Sequence, residues 1–374
     1  MDERVLEAML PYYREHWGNS SSLHQFGRSA LKGLEDSRKK IAGLLNCRPD
    51  EIYFTSGGTE SDNFAVKATA FANRERGRHV ITSRIEHQAI LESCQFLEHE
   101  GFEVTYLPVD DCGMVSPDDL KNAIRDDTTL VSVMYVNNEV GTIQPVDELA
   151  NICRERGVYF HTDAVQAVGR IPVDLGKINI DMMSTSAHKI YGPKGVGVIF
   201  VRSGTHTLPW QTGGHHESGL RSGTVNVPGI VGYAKALELA VDGMEEIQGH
   251  IGTLAEAFRM KIEDEIPDVR FIGHPVKRVK STVNFCFKGA EGEALILNLD
   301  MKGIGVSSGS ACTSGSTDPS HVLLAMGVPP EIAQSSVRFS FGRSNTMEHV
   351  EYTVMVLKEV VERLRSMSPF YAKS

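Results

Sequence analysis

Lys189 stands in surroundings that suit covalent chemistry with a carbonyl compound. It follows a run of small and polar residues, 184–188, and precedes the glycine- and proline-containing loop 190–195. An amine that is partly desolvated and close to another cation loses its proton more easily, which it must do to condense with a carbonyl. Most lysines before such a loop are solvated surface charges. The choice between a surface charge and a reactive amine therefore depends on the neighbouring segments. Lys189 is a candidate Schiff-base lysine.

A glycine pair at 57–58 predicts a turn that binds an anion. The pair lies in segment 56–63, which follows the β-rich run 52–55 and opens a helical pattern. Glycines let the backbone approach an anion, and the free N–H groups at a helix start bind phosphate. The alternative is a plain strand-to-helix turn. With an aldehyde cofactor present, the segment would be its phosphate cup.

Asp163 follows another β-rich run, 159–161, and is expected at the carboxyl edge of the sheet. A carboxylate there can keep a pyridine nitrogen protonated, and the positive ring is the electron sink of pyridoxal phosphate chemistry. His87 can place an imidazole against a flat ring, and Asn138 offers an amide to a ring hydroxyl. Each residue has an ordinary alternative. Asp163 could cap a helix, His87 could be a hydrogen-bonded histidine without a role in binding, and Asn138 could belong to an Asn-Asn turn. Together with Lys189 they favour a pyridoxal phosphate site.

Cys312 lies in a run of small residues, 307–316, that is unsuited to a core element. Buried cysteines need apolar neighbours, whereas a thiol on a polar loop is exposed and reactive. The pattern therefore favours a nucleophile over a buried filler. Arg338 lies in the strand-like run 337–340 and suits two-bond capture of a carboxylate. Its alternative is a charge that prevents pairing at a sheet edge.

The composition is that of an ordinary globular protein of about two domains, with 374 residues of which 41% are hydrophobic. A net charge of −10 and a pI near 5.8 argue against nucleic-acid and anionic-membrane partners. No apolar run approaches transmembrane length and the first residues do not form a signal peptide, so we expect a cytoplasmic protein. The six cysteines include no C-x-x-C pair and fit neither a disulfide framework nor a metal site.

Helical and β-rich runs alternate, which predicts an α/β fold with a mostly parallel sheet covered by helices. We expect a large cofactor-binding domain over 5–245 and a smaller α/β domain over 246–374 that carries the Cys312 loop. A long helix should run from 228 past 257, and others over 147–156 and 347–367, the last capped by Asn345 or Thr346. The predicted strands are 52–55, 79–82, 104–107, 130–136, 159–161, 182–185 and 196–201, then 281–287, 305–307 and 336–341.

Eight segments, in this order, resemble the cysteine desulfurase family of NifS/IscS type: SGGTESDN, EHQ, NNEVGTIQPV, HTDAVQAVG, STSAHKIYGPKG, GLRSGT, SSGSACTS and DPSHVL. The resemblance covers nearly the whole chain. It implies a fold-type I enzyme that uses pyridoxal 5′-phosphate, acts as a homodimer and has a seven-stranded sheet in its large domain. The implied reaction converts L-cysteine and an acceptor thiol into L-alanine and a persulfide.

The resemblance also implies a role for each residue that matches a motif. Lys189 would form the Schiff base and remove the substrate's α-proton, His87 would stack on the ring, and Cys312 would accept sulfur. Thr224 would reach the phosphate of the neighbouring subunit. Arg338 and Asn138 would bind the substrate, and the persulfide would pass to an acceptor such as an iron–sulfur scaffold protein. The implied cofactor-binding residues are Gly58, Thr59, Asn138, Asp163, Gln166, Ser186, His188, Lys189 and Thr224.

Family members usually carry a strand and a Tyr-Leu-Asp-x-x-Ala-Thr-Thr-like segment before the residues that match 2–5 here. That segment lines the substrate side of the cofactor, so we expect a protein without it to lose activity or affinity. Two alternatives stay open: a selenocysteine lyase, because both substrates offer the same carboxylate and amine, and a non-catalytic partner in iron–sulfur assembly. An aminotransferase is disfavoured, since it would not need Cys312.

Overall fold

The computed structural model describes residues 1–308, 318–368 and 371. They form two compact units. Unit 1 comprises Met1–Leu107, Pro117–Tyr135 and Pro145–Met244, and unit 2 comprises Pro108–Ser116, Val136–Gln144 and the described part of Glu245–Ser374. Two short segments from the first part of the sequence therefore belong to unit 2. The division into domains at 245/246 stays a prediction about independently folding regions.

Unit 1 contains seven strands: β1 Ile52–Thr55, β2 His79–Ser83, β3 Glu103–Leu107, β4 Thr128–Ser132, β5 Tyr159–Asp163, β6 Met182–Ser186 and β7 Gly197–Val201. They form one sheet in the order β1-β7-β6-β5-β4-β2-β3. Only β7 runs antiparallel to its neighbours, β1 and β6, and the other pairings are parallel. The predicted α/β fold with a mostly parallel seven-stranded sheet is confirmed.

The helices of unit 1 cover the sheet and carry the turns that follow its strands. Their bounds are α1 Glu3–Arg14, α2 Gln25–Leu45, α3 Gly58–Asn63, α4 Thr69–Ala72, α5 Gln88–His99, α6 Pro117–Ala123, α7 Val146–Glu155 and α8 Val227–Asp242. Short 3₁₀ turns occupy Pro49–Glu51, Ala187–Ile190 and Glu217–Gly219, and a π-helical turn, Phe64–Ala68, separates α3 from α4. Phe64, Leu130, Met182 and Ile199 are among the side chains of its buried core.

Unit 2 has a three-stranded antiparallel sheet in the order β10-β9-β8. Its strands are β8 Val269–Ile272, β9 Thr282–Phe287 and β10 Ser336–Ser340. Phe258, Phe285, Phe339 and Leu357 help to fill the core of this unit. Its helices are α9 Met244–Glu265, α10 Gly292–Asp300, α11 His321–Ala325, α12 Pro330–Ala333 and α13 Met347–Met367.

Several predicted elements need correction. The single helix from 228 past 257 is two helices, because the chain leaves helical geometry at Gly243. The strand at 305–307 is reduced to an isolated bridge between Ser307 and Arg338, and β8 was missed. Thr346 is the cap of α13, accepting the His349 N–H at 3.4 Å. Among the helices of the described residues, none is both long and apolar enough to cross a membrane.

Candidate active site

The predicted phosphate turn lies where β1 ends and α3 begins. Gly57 has φ 155° and ψ −175°, a conformation that is nearly restricted to glycine. Gly58 is buried and Thr59 is exposed beside it. Gly197 at the start of β7 lies against this turn, since a Cβ there would be 2.7 Å from the Gly57 backbone. Gly197 thus allows a backbone approach that a larger residue would block, and Gly57 supplies a backbone conformation that a larger residue rarely adopts.

Lys189 lies on the 3₁₀ turn that follows β6, and its side chain is exposed. The expected partial desolvation of its amine is therefore not found among the described residues. Ser186 Oγ and His188 Nδ1 lie 2.8 Å apart, which brings together two residues predicted to hold the phosphate. Burial lowers the pKa of His188, and the charges of Lys189 and Lys194 lower it further.

Asp163 is the last residue of β5, opposite Ser184 on β6, and it is 6% exposed. Its Oδ1 accepts the Val165 N–H at 2.9 Å. Burial raises the pKa of Asp163, opposed first by that hydrogen bond and then by the charges of His87 and Lys189. The structure thus brings the predicted carboxylate, imidazole and amine together at the carboxyl ends of the parallel strands β5, β2 and β6.

His87 follows the end of β2, and Gln166 follows the same strand end, that of β5, as Asp163. The half-buried His87 is the N-cap of α5, and its Nδ1 accepts the Ala89 N–H at 3.1 Å. This hydrogen bond fixes the orientation of the imidazole. Gln166 is half-buried after β5, and its Oε1 accepts a hydrogen bond from Arg170 Nη1. Both side chains are therefore oriented by local contacts.

Two more buried carboxyl groups, Asp62 and Glu86, lie near Asp163. Burial raises the pKa of Asp62 well above its usual range, and the charge of Asp163 adds to this. Burial also raises the pKa of Glu86 to about 8, although Ser83 Oγ and the Met134 N–H donate to it. Because the pKa values of Asp62, Glu86 and Asp163 are all raised, the cluster carries less negative charge than three solvent-exposed carboxylates would.

Thr224 is exposed and lies in the segment that follows the 3₁₀ turn Glu217–Gly219. Arg221 from this segment forms an ion pair with Glu60 of α3, Nε to Oε1 at 2.8 Å. The ion pair attaches the segment with Thr224 to the glycine turn.

In unit 2, Asn138 and Arg338 lie together. Arg338 Nη1 donates to the Asn138 carbonyl oxygen at 3.0 Å. Both side chains are half-buried. Arg338 lies on β10 and exchanges two backbone hydrogen bonds with Ser307, at 2.7 and 3.2 Å. The two predicted substrate-binding residues thus belong to one local frame.

Cys312 falls outside the described residues. Five other cysteines are free thiols, of which Cys94, Cys153 and Cys286 are buried. Burial raises the pKa of Cys47 and of Cys286 to about 12, so these thiols are poor nucleophiles. No described cysteine has the low-pKa, accessible thiol that sulfur transfer requires.

The residues of unit 1 fit pyridoxal 5′-phosphate. Burial raises the pKa of Asp163, so a positively charged N–H donor against it would be stabilised. Lys189 is exposed and can present its amine to the aldehyde, and the turn at Gly57 offers the backbone N–H groups that begin α3 to a phosphate. The ring nitrogen, aldehyde and phosphate of the cofactor therefore each find a suitable partner.

Sequence reasoning assigned no role to Glu60, Asp62, Glu86 or Arg221, although each lies within or beside a quoted motif. Their burial arises from contacts between distant segments, such as Arg221 with Glu60. The available signal was a charged residue inside a quoted motif: Glu60 and Asp62 in 56–63, Glu86 in 86–88 and Arg221 in 219–224.

Comparison with known proteins also supports a site for pyridoxal 5′-phosphate. The family model described as aminotransferase class-V matches residues 1–353. The cysteine desulfurase IscS of Methanosarcina thermophila is 52% identical over 373 residues, covering 99% of this chain and 92% of that protein. The cysteine desulfurase of Rattus norvegicus is 47% identical and covers 99% of this chain and 82% of that protein.

Solved structures show the same similarity. A NifS-like protein superposes with a TM-score of 0.92 at 40% identity, covering 97% of this chain and 96% of that one. SspA in complex with cysteine superposes with a TM-score of 0.82 at 35% identity, covering 92% of this chain and 97% of that one. The shared architecture therefore extends over both units of the fold.

Proposed function

This chain belongs to the class-V aminotransferases and, within them, to the cysteine desulfurases, and we propose how its own residues carry out the reaction. The enzyme depends on pyridoxal 5′-phosphate and takes sulfur from L-cysteine, leaving L-alanine. The observation that supports the assignment best is the meeting of Asp163, His87 and Lys189 at the carboxyl ends of parallel strands. Ligands collect at that edge in sheets of this type.

The chain offers one group for each part of the cofactor. Asp163 pairs with the ring nitrogen, His87 stacks on the ring, and Lys189 supplies the amine for the aldehyde. When bound, the cofactor supplies an electron sink for the substrate's α-carbon. Gln166 and Asn138 contact the hydroxyl side of the ring. The phosphate is held by Gly58, Thr59, Ser186 and His188, with Thr224 reaching the phosphate of a second subunit.

Three side chains act on the substrate. Arg338 binds the carboxylate of L-cysteine with its planar guanidinium. The amine of Lys189, displaced by the substrate's amino group, takes the proton from the α-carbon. Asn138, whose carbonyl oxygen accepts from Arg338, keeps this guanidinium in place.

Cys312 receives the sulfur. Its thiolate attacks the sulfur of the substrate, an S–S bond forms, and the C–S bond breaks with its electron pair left on the carbon side. That carbon then takes up a proton, and the amino acid leaves as L-alanine. Cys312 is left as a persulfide, whose outer sulfur an acceptor thiol can collect.

The acceptor, oligomeric state and location belong to the same proposal. The name IscS of the similar proteins supports an acceptor in iron–sulfur cluster assembly, such as a scaffold protein. The role given to Thr224 requires a homodimer. The five described cysteines are free thiols, which suits a reducing cytoplasm.

The test uses the purified enzyme loaded with pyridoxal 5′-phosphate and supplied with L-cysteine and a reductant. Wild type should form equal amounts of L-alanine and sulfide and carry a persulfide on Cys312. Cys312→Ser should keep the visible absorption of the cofactor and lose sulfide release. Lys189→Ala should lose alanine formation. Cys112→Ser, which alters a half-buried thiol elsewhere, should behave as wild type. A Cys312→Ser enzyme with full turnover would refute the proposal.

A further inference from the structure

Glu139 is a buried carboxylate that the proposed reaction does not use. It is 3% exposed and lies in the segment Val136–Gln144 of unit 2. Ser320 Oγ donates to its Oε2 at 2.5 Å. Asn284 Nδ2 donates to its backbone carbonyl oxygen at 3.2 Å. A buried carboxylate is costly unless hydrogen bonds and charges compensate it, so these contacts identify a built arrangement.

Glu139 belongs to the surroundings of Arg338. The residue before it, Asn138, accepts from Arg338 Nη1 at 3.0 Å. Asn284, which holds the backbone of Glu139, is the cross-strand partner of Arg338 in the β9–β10 pairing. The charge of Arg338 also counteracts the burial that raises the pKa of Glu139 to about 7. Glu139 is thus attached to the same frame as the substrate-binding arginine.

Both ends of the segment that contains Cys312 are fixed to this frame. Ahead of Cys312, Ser307 exchanges two backbone hydrogen bonds with Arg338. After Cys312, Ser320 donates to Glu139 and caps α11 by accepting the Leu323 N–H at 3.4 Å. The Ser320 hydroxyl therefore donates one hydrogen bond, to Glu139, and accepts one, from Leu323. These two bonds together fix its orientation.

We propose that Glu139 is a positioning residue that, through Ser320, fixes the point where the Cys312 segment rejoins the fold in the frame of Arg338. Formation of the Cys312 persulfide then depends on this pair. Arg338 and Asn138 hold the substrate from this frame. Because a chain spans at most about 3.3–3.6 Å per residue, fixed attachment points at Ser307 and Ser320 restrict the reach of the residues between them. The inference rests on the proposed function, since it needs Cys312 as the sulfur acceptor.

Ser320→Ala tests the pair without touching Arg338. We expect kcat for alanine formation, per bound cofactor, to fall about tenfold with KM for L-cysteine within about twofold, because substrate binding is retained while sulfur transfer is misaligned. Ser335→Ala is the matched control, since Ser335 is also buried in unit 2 and donates to a backbone carbonyl. It should lower the melting temperature by a similar amount without changing kcat.

Three further variants separate positioning from simple stability. Glu139→Ala should lower kcat at least as much as Ser320→Ala, and the double variant should be no worse than Glu139→Ala, because the two act as one pair. Glu139→Gln keeps an acceptor oxygen and Ser320→Thr keeps the hydroxyl, so both should retain most of kcat. Rapid quenching should show slower first-turnover persulfide formation in Ser320→Ala and Glu139→Ala but not in Ser335→Ala.

The outcomes distinguish the two proposals. If the wild-type enzyme forms no alanine from L-cysteine, the proposed function fails. If the wild type is active but Ser320→Ala matches Ser335→Ala in kcat, or Glu139→Gln is as slow as Glu139→Ala, the positioning role of Glu139 is wrong. Strict additivity of the two alanine substitutions would also overturn it.

Discussion

Arg221 donates two hydrogen bonds to the carboxylate of Glu60, from Nε to Oε1 at 2.8 Å and from Nη2 to Oε2 at 3.2 Å. The Ser56 N–H donates to the same carboxylate at 2.7 Å. A two-bond ion pair fixes orientation as well as distance. The pair therefore joins the segment that carries Thr224 to the glycine turn that begins α3.

Arg221→Ala should weaken the binding of pyridoxal 5′-phosphate about tenfold. A hydrogen bond to a charged group contributes about 1.5–3 kcal/mol, and its loss frees both segments proposed to hold the phosphate. Arg221→Lys should recover only part of the affinity, because an ammonium cannot make the same two bonds. Titration of the apoenzyme, followed by absorbance, measures the effect. Arg259→Ala, which breaks an ion pair with Glu263 in unit 2, should leave the affinity unchanged, and equal losses in the two variants would contradict the prediction.

Asp163→Asn should keep the cofactor but lower kcat by about 10- to 100-fold. The amide preserves the acceptor for the Val165 N–H but carries no charge to hold a ring proton, a loss of about 1.5–3 kcal/mol. Steady-state alanine formation per bound cofactor measures it. Asp181→Asn is the control, because Asp181 also accepts a backbone N–H, from Phe160 at 2.7 Å, at a strand start. A normal kcat in Asp163→Asn would remove Asp163 from the proposed mechanism.

Glu86 should make the apoenzyme less stable as the pH rises. Burial raises the pKa of Glu86 to about 8 in the folded state, above the value of about 4.3 that an unfolded chain has. Between these values Glu86 is protonated in the folded state and ionised in the unfolded chain. The contribution of this proton to the free energy of unfolding is therefore fully present below about pH 4 and is lost as the pH rises through about 8. The full shift corresponds to about 5 kcal/mol.

Urea unfolding at pH 5, 6.5 and 8 checks this expectation. Glu86→Gln mimics the protonated acid, so the loss of unfolding free energy with rising pH should be smaller than in wild type. Glu92→Gln alters an exposed carboxylate on the same helix α5 and should retain the wild-type slope. Identical slopes in all three proteins would show that Glu86 is ionised on both sides of the transition.

Gly197→Ala should damage the phosphate turn. Its Cβ would lie 2.7 Å from Gly57 Cα and from the Thr185 carbonyl oxygen, and backbone atoms cannot rotate away. Overpacking of this kind costs about 1–3 kcal/mol, so both the melting temperature and the cofactor affinity should fall. Gly195→Ala is the control: it also strains the backbone, at φ 77°, but its Cβ meets open space. It should lower the melting temperature only, and an unchanged cofactor affinity in Gly197→Ala would argue against the close packing of β7 on the turn.

The seven strands of unit 1 could be predicted because each is a short run rich in apolar or β-branched residues, although the predicted strand 130–136 extends past Ser132, where β4 ends. The contiguous motifs also placed Lys189, Asp163 and His87 at strand ends, where the structure brings them together. β8 was missed because Val269–Ile272 contains an arginine and has only four residues. Sequence periodicity could not find the break at Gly243, since one glycine is tolerated inside many helices.

The contacts of unit 2 could not be predicted from local patterns. The segment Val136–Gln144 belongs to that unit through partners more than a hundred residues away, such as the bridge between Thr142 and Arg278. For the same reason Glu139 gave no sign of its bond to Ser320. Side chains whose roles depend on long-range burial need coordinates, whereas residues at strand ends can be recognised from the order of elements.

The pairing of β1 with β7 also limits the order in which the protein can be assembled. Ile52 lies opposite Phe200 and Thr55 opposite Gly197, whereas β6 and β7 are consecutive in the sequence. Contacts between remote parts of a chain form slowly, because a long loop must be closed first. During synthesis β1 has no strand of its sheet to pair with until β7, which ends at residue 201, has left the ribosome. A nascent chain that is interrupted before this point can contain the glycine turn in its sequence and still lack the strand on which Gly57 is closely packed at Gly197.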